Sequence, residues 1–168
     1  MVAAWPEPVE RVSLFLRDAG ADARIEEFSD GTPTAADAAA AVGCELAQIV
    51  KSLVLVCDGR PVVALVPGDR RGDPVKVARA AGTESARIAS PDEVQEATGF
   101  EPGAVAPFPL PRVETVLIER TLLTHRIVWA GAGSANHMVG LAPVELERLA
   151  RARPMDVVKE RASDLRSQ

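Results

Sequence analysis

Ile49-Val50-Lys51-Ser52-Leu53-Val54-Leu55-Val56-Cys57, then Asp58-Gly59, then Arg60-Pro61-Val62-Val63-Ala64-Leu65-Val66, is the stretch that decides the fold class. Both runs are β-branched and aliphatic, the composition of buried strands. Asp-Gly between two apolar runs is the strongest short-range sign of a two-residue hairpin. Pro61 predicts an edge or non-bonded position at the start of the second strand. Alternation places Lys51 on one face with Ile49, Leu53, Leu55 and Cys57. An unpaired ammonium taken out of water costs roughly several kcal/mol, the scale of a domain's whole stability. A site that carries this cost uses the charge on a ligand of opposite sign. The competing explanation is a lysine that snorkels from an apolar surface.

Composition sets the frame. A chain of 168 residues predicts one domain, 1–168, large enough to bury a core without disulfides or metal. Apolar residues reach 47% and aromatics only 4%, with no tyrosine, so valine, alanine and leucine fill the core. Base stacking on a row of aromatics is not expected. Neither is a broad cationic nucleic-acid surface, at a net charge of −5. The local basic cluster Arg70, Arg71, Lys76 and Arg79 reads as a solvated helix face. Cys44 and Cys57 form no CxxC pair, and His125 and His137 lack ligand spacing, so no metal is expected. Pro6, Glu7, Pro8 and Glu10 interrupt any signal-peptide core, and no run is long and apolar enough to span a bilayer. The chain reads as a reduced cytoplasmic protein without membrane contact.

Outward from the hairpin, helices are predicted over Pro8–Ala19, Thr34–Val42 (capped by Thr32 or Thr34), Asp73–Ala81 (capped by Asp73), Ser90–Thr98 (a Ser90/Glu93 capping box) and Pro143–Ala152. A short helical turn is predicted near Glu45–Gln48 and another at Leu122-Leu123. Further strands are predicted over Ala23–Phe28, Arg87–Ala89, 113–119, Ile127–Ala130 and His137–Leu141, the last two around a Gly131-Ala132-Gly133-Ser134 turn. Residues 99–112, with Gly99, Pro102, Gly103, Pro107, Pro109 and Pro111, form a long irregular loop, and such loops are usually functional. The tail from Lys159 to 168 is expected to fray. Hairpins mixed with helices favour α+β over a regular βαβ sheet.

No dinucleotide fingerprint, nucleophile elbow, P-loop, HExxH or EF-hand occurs. Gly131-Ala132-Gly133-Ser134-Ala135-Asn136 comes near the first, but Asn136 replaces its third glycine. Both cysteines read as structural. His137 is either an ordinary edge histidine or a hydrogen-bonding group in a pocket.

Lys51-Ser52-Leu53-Val54, Leu65-Val66-Pro67-Gly68-Asp69 and Gly103-Ala104-Val105-Ala106-Pro107-Phe108, with Ala130-Gly131 through Leu141-Ala142-Pro143 and Glu145-Leu146, occur in this order. Together they resemble the YbaK/prolyl-tRNA-synthetase-associated domain family over roughly residues 25–155. The resemblance implies a mixed, partly closed, barrel-like β-sheet surrounded by helices. It also implies a freestanding deacylase that hydrolyses mischarged aminoacyl-tRNA, with cysteine, alanine or serine on proline tRNA as family-level candidates. The family lysine maps onto Lys51, and the family GxxxP loop onto Gly103, Ala104, Val105, Ala106 and Pro107. Gly131, Gly133 and His137 match a family region near the pocket, and Ser52 stands beside the lysine.

The chemistry agrees. A desolvated ammonium suits the terminal phosphate, or the negative charge that develops when an ester is attacked. A proline-stiffened, glycine-containing loop offers backbone groups at fixed positions. In the family, a ribose hydroxyl or the substrate's own side chain assists, and water attacks, so no cofactor, metal or side-chain nucleophile is implied. The expected partners are the 3′ acceptor end of aminoacyl-tRNA and an aminoacyl-tRNA synthetase. Ala104 stands where many relatives have a second glycine, and Ser52 where threonine or asparagine is common, so amino-acid specificity is left open. The rival readings are a non-catalytic binding module with the same pocket and a small-molecule hydrolase.

Overall fold

The computed structural model describes residues 4–161. The hairpin forms at its centre: β2 (Ile49–Cys57) and β3 (Arg60–Pro67) pair antiparallel from Cys57↔Arg60 to Val50↔Pro67. Around them stand α1 (Glu7–Asp18), β1 (Arg24–Glu27), α2 (Ala35–Val42), α3 (Pro74–Ala81), β4 (Arg87–Ile88), α4 (Pro91–Thr98), β5 (Thr115–Glu119), β6 (Val128–Ser134), β7 (His137–Leu141), α5 (Pro143–Ala150) and β8 (Arg153–Met155). Short 3-10 turns cover Leu46–Gln48 and Arg120–Thr124.

All eight strands of the described residues join one mixed sheet, in the order β1-β7-β6-β2-β3-β5-β8, with β4 on the free side of β2. The pairs β2–β6, β3–β5 and β5–β8 are parallel and the others antiparallel. The α+β class and the mixed sheet with surrounding helices are as expected. Pro61 opposes Val56, and the pairing of β3 with β5 starts only at Val62. Its missing N–H therefore costs no ladder bond.

The sheet buries both faces. On one, Val50, Val54, Val63, Leu65, Val116, Ile118, Val128 and Val139 pack against Val12 and Leu16 of α1 and Leu146 and Leu149 of α5. On the other, Leu55, Cys57, Val62, Ala64, Val66 and Leu117 pack against Val77 and Ala80 of α3. Ala38 and Ala39 of α2 cover Ile49 and Met138. The irregular segment 99–112 is anchored rather than loose, because Phe100, Ala106 and Phe108 lie fully inside the first cluster.

Three expectations are corrected. Gly131-Ala132-Gly133-Ser134 is not a turn: β6 runs through it with a register shift, and Ala135-Asn136 makes the turn. The last helix ends at Ala150 because Arg151 adopts φ 52°, and the freed chain forms β8, which no alternation announced. Lys159 is not frayed, since its N–H donates to Arg71 O (2.8 Å) and Arg161 pairs with Asp69. The rest of the predicted frayed tail, 162–168, lies outside the described residues.

Candidate functional site

β2 carries a gap in its pairing. On the edge away from β3 it pairs with β6 at Ile49 and Val50 and with β4 at Leu55 and Val56. Residues 51–54 have neither neighbour strand. The carbonyl of Ile49 turns toward the β3 side, where it accepts from Gly68 N–H (2.7 Å), and that of Val54 turns the other way, to Ala89 N–H (3.0 Å). Alternation then sends the N–H and C=O of Ser52 toward the gap. The Ser52 hydroxyl is buried and makes no hydrogen bond. A buried polar atom without a partner is costly and calls for a structural or functional reason.

A cleft of about 310 Å³ opens at this gap. Lys51, Ser52 and Leu53 line it from β2, Gly103 and Val105 from the irregular segment, Gly131 and Ser134 from β6, and Thr32 to Ala35 from the approach to α2. Ala38, Ile49, Val50 and Met138 make the apolar part of the wall. The Val105 carbonyl oxygen lies beside Gly131, 3.6 Å from where a Cβ would stand. Thr34 caps α2, accepting from Asp37 N–H (3.1 Å). That leaves Thr32 bonded to the Ala135 carbonyl (3.0 Å) at the cleft rim.

Lys51 is half-buried. Its ammonium donates to the Arg70 carbonyl (2.9 Å), just past the end of β3. Burial pushes its pKa below the ordinary lysine value; the Asp69 carboxylate pulls it up, and Arg71 pushes it down. The 69–73 segment that receives the ammonium, and the start of α3 after it, are tied to residues 156–159: Asp73 N–H donates to Val157 O (2.8 Å), Arg70 to Lys159 O (2.7 Å) and Lys76 to Asp156 (3.0 Å). Arg70 and Lys76, read from sequence as solvated, thus hold structure.

The sequence profile of the aminoacyl-tRNA editing domain matches residues 29–149, a span that takes in every lining residue of the cleft. The chain belongs to the aminoacyl-tRNA editing domain family. This editing domain is 34% identical to uncharacterized protein YwhH of Bacillus subtilis (strain 168), over 81% of this chain and 87% of that one. It is 31% identical to proline–tRNA ligase of Nitratidesulfovibrio vulgaris (strain DP4), over 87% of this chain but only 24% of the ligase, so it spans about a quarter of that relative's length. Its fold matches the crystal structure of a protein proposed as a trans-editing enzyme for prolyl tRNA synthetase. The TM-score there is 0.87 and the identity 34%, over 94% of this chain and 100% of that one.

Of the residues singled out in the sequence, Lys51, Ser52, Gly103, Val105 and Gly131 meet in the cleft of this editing domain. The others lie elsewhere. Ala106 is buried in the core, and Pro107 lines a separate groove with Phe15, Phe108 and Pro109. Ala104 belongs to the same segment, but its side chain is not in the cleft wall. Gly133 faces the start of α1, where a Cβ would come within 2.9 Å of the Pro8 carbonyl. His137 is buried behind Ser134. Thr32, Ser134 and Met138 were not found from sequence, because only tertiary packing brings α2's approach and the β6–β7 turn to β2. The thiols of Cys44 and Cys57 are pushed up by burial, as inert thiols are. Among the described residues no group of three or more His, Cys, Asp or Glu is arranged to hold a metal, and no helix is long and apolar enough to cross a membrane.

Proposed function

We propose that this editing domain is an aminoacyl-tRNA deacylase acting in trans, on tRNA already released by its synthetase. The observation that carries the reading is the joint presence, in one cleft, of a half-desolvated lysine, an unpaired stretch of strand edge and the backbone of the Gly103–Val105 segment. Lys51 holds the phosphate next to the terminal adenosine, or the negative charge that develops on the attacked ester. Ser52 offers its N–H and C=O to the aminoacyl group, and the Gly103–Val105 backbone faces it. Water adds to the ester carbonyl, the bond to the ribose oxygen breaks, and the proton passes to that oxygen. An aminoacyl ester is already activated, so positioning supplies much of the rate.

Similarity to a segment of proline–tRNA ligases supports proline tRNA as the carrier. The cleft, at about 310 Å³, has room for an aminoacyl group, and alanine, serine and cysteine are the candidates the family resemblance suggests. The test is a panel of alanyl-, seryl-, cysteinyl- and prolyl-tRNA(Pro), followed for ester loss. Loss of one or more small esters with prolyl-tRNA spared is expected. Survival of every ester, with tRNA still bound, would leave a binding module instead.

A further inference from the structure

Behind the cleft runs a chain of three polar side chains. The Ser134 hydroxyl lies 2.6 Å from His137 Nδ1, and His137 Nε2 lies 2.9 Å from Glu27 Oε2. His137 is buried, with the Trp5 ring edge-on at 5.2 Å. Asn136 N–H donates to the Ser134 oxygen at 2.9 Å. In the tautomer whose Nε2–H donates to the Glu27 carboxylate, bare Nδ1 accepts from Ser134, and the serine oxygen accepts from Asn136. The serine proton is then committed inward, and one oxygen lone pair is left over.

The fold brings Ser134 to the cleft by a specific device. Strict alternation along β6 would put Ser134 on the core face with Ala130 and Ala132. The register with β7 slips between Gly131 and Ser134, and Gly133 takes φ 103°, so Ser134 instead joins Gly131 in the cleft wall. The turn beyond is fixed from outside, since Phe28 N–H donates to Asn136 O (2.7 Å) and Thr32 N–H to Ala135 O (2.6 Å). Beside Gly131 in the same wall lies the Val105 carbonyl, a second acceptor. Ser134 and Val105 both belong to the cleft wall, and two acceptors there suit a ligand that donates.

Building on the deacylase reading, we propose that Ser134 is a substrate-contacting residue whose free lone pair accepts from the α-ammonium of the aminoacyl group. His137 and Glu27 are positioning residues that keep the hydroxyl proton turned away. The site thereby distinguishes a free amino acid ester from an N-blocked one.

The probes are adenosine carrying alanine through a 3′-amide, which cannot be hydrolysed as an ester, and its N-acetyl form. Wild type should bind the free amine more tightly than the N-acetyl form. Ser134→Ala should weaken the free amine by about tenfold and leave the N-acetyl probe unchanged. Glu27→Ala, at a half-exposed position, should erode the same preference in part, again without weakening the N-acetyl probe. An unchanged preference in Ser134→Ala, or no preference in wild type, overturns the proposal. Ester turnover by wild type, measured alongside, reports separately on the deacylase reading.

Discussion

The Lys51 ammonium is held by the Arg70 carbonyl at 2.9 Å, so the position of the charge is set by a segment nineteen residues further along the chain. That segment is pressed onto β2 and bonded to residues 156–161. Lys51 lines the cleft, while Leu53 and Leu55 on the same face of β2 pack with Val77 and Ala80 of α3.

Burial dominates the depressed pKa of Lys51, so the folded state disfavours its charge. Between that lowered value and the ordinary 10.5 the unfolded chain binds more protons, and stability rises with pH across this window. Lys51→Met removes the ammonium and keeps the stem. Its melting temperature should equal or exceed that of wild type at neutral pH, and its stability should lack the alkaline rise. A clear drop in melting temperature would show that the Arg70 bond outweighs desolvation.

Gly72 lies so close to β2 that an added Cβ would stand 2.6 Å from Leu53 Cδ1. Gly72→Ala must push Leu53 aside or lift the segment carrying the Arg70 carbonyl. Loss of about 1–2 kcal/mol in denaturant unfolding is expected, with a larger proportional loss of deacylation. Unchanged deacylation would mean that the segment does not set the lysine.

Gly133 combines φ 103° with a Cβ position 2.9 Å from the Pro8 backbone. Neither can relax through a side-chain rotamer. Gly133→Ala should cost about 2 kcal/mol or more in denaturant unfolding. Because Gly133 sets the bulge that aims Ser134, it should also weaken the free-amine probe more than the N-acetyl one. A neutral effect on both would remove the bulge from the account.

The two halves of the domain differ in how they show themselves in the sequence. The β2–β3 hairpin, the Asp73 and Ser90 helix starts and the irregular 99–112 segment rest on local chemistry, and all form as read. β8 was invisible because Arg153-Pro154-Met155 is mostly exposed and is recruited only by parallel pairing with β5. The bulge in β6 was misread as a turn because glycines serve both. In the site, alternation identified Lys51, but it could not show that His137 sits behind Ser134 or that Pro107 faces another groove.

Glu93 tests the electrostatics away from the cleft. Two hydrogen bonds from Arg87, with the Ser90 cap, hold its pKa at about 2 against an ordinary 4.5. The folded value is the lower one, so its contribution is present above the unfolded pKa and is lost as pH falls toward 2. Wild type should out-melt Glu93→Gln at pH 5, and the gap should narrow as pH falls. A gap independent of pH would mean that packing, not charge, carries the difference.

The proposed role of the Lys51 charge is in ester hydrolysis. The most direct measurement is single-turnover ester loss from alanyl-tRNA(Pro), with wild type and Lys51→Ala compared at matched folding by circular dichroism. The variant should be slower by roughly 100-fold or more. A variant within about twofold of an active wild type, well below one tenfold step of about 1.4 kcal/mol, would contradict it.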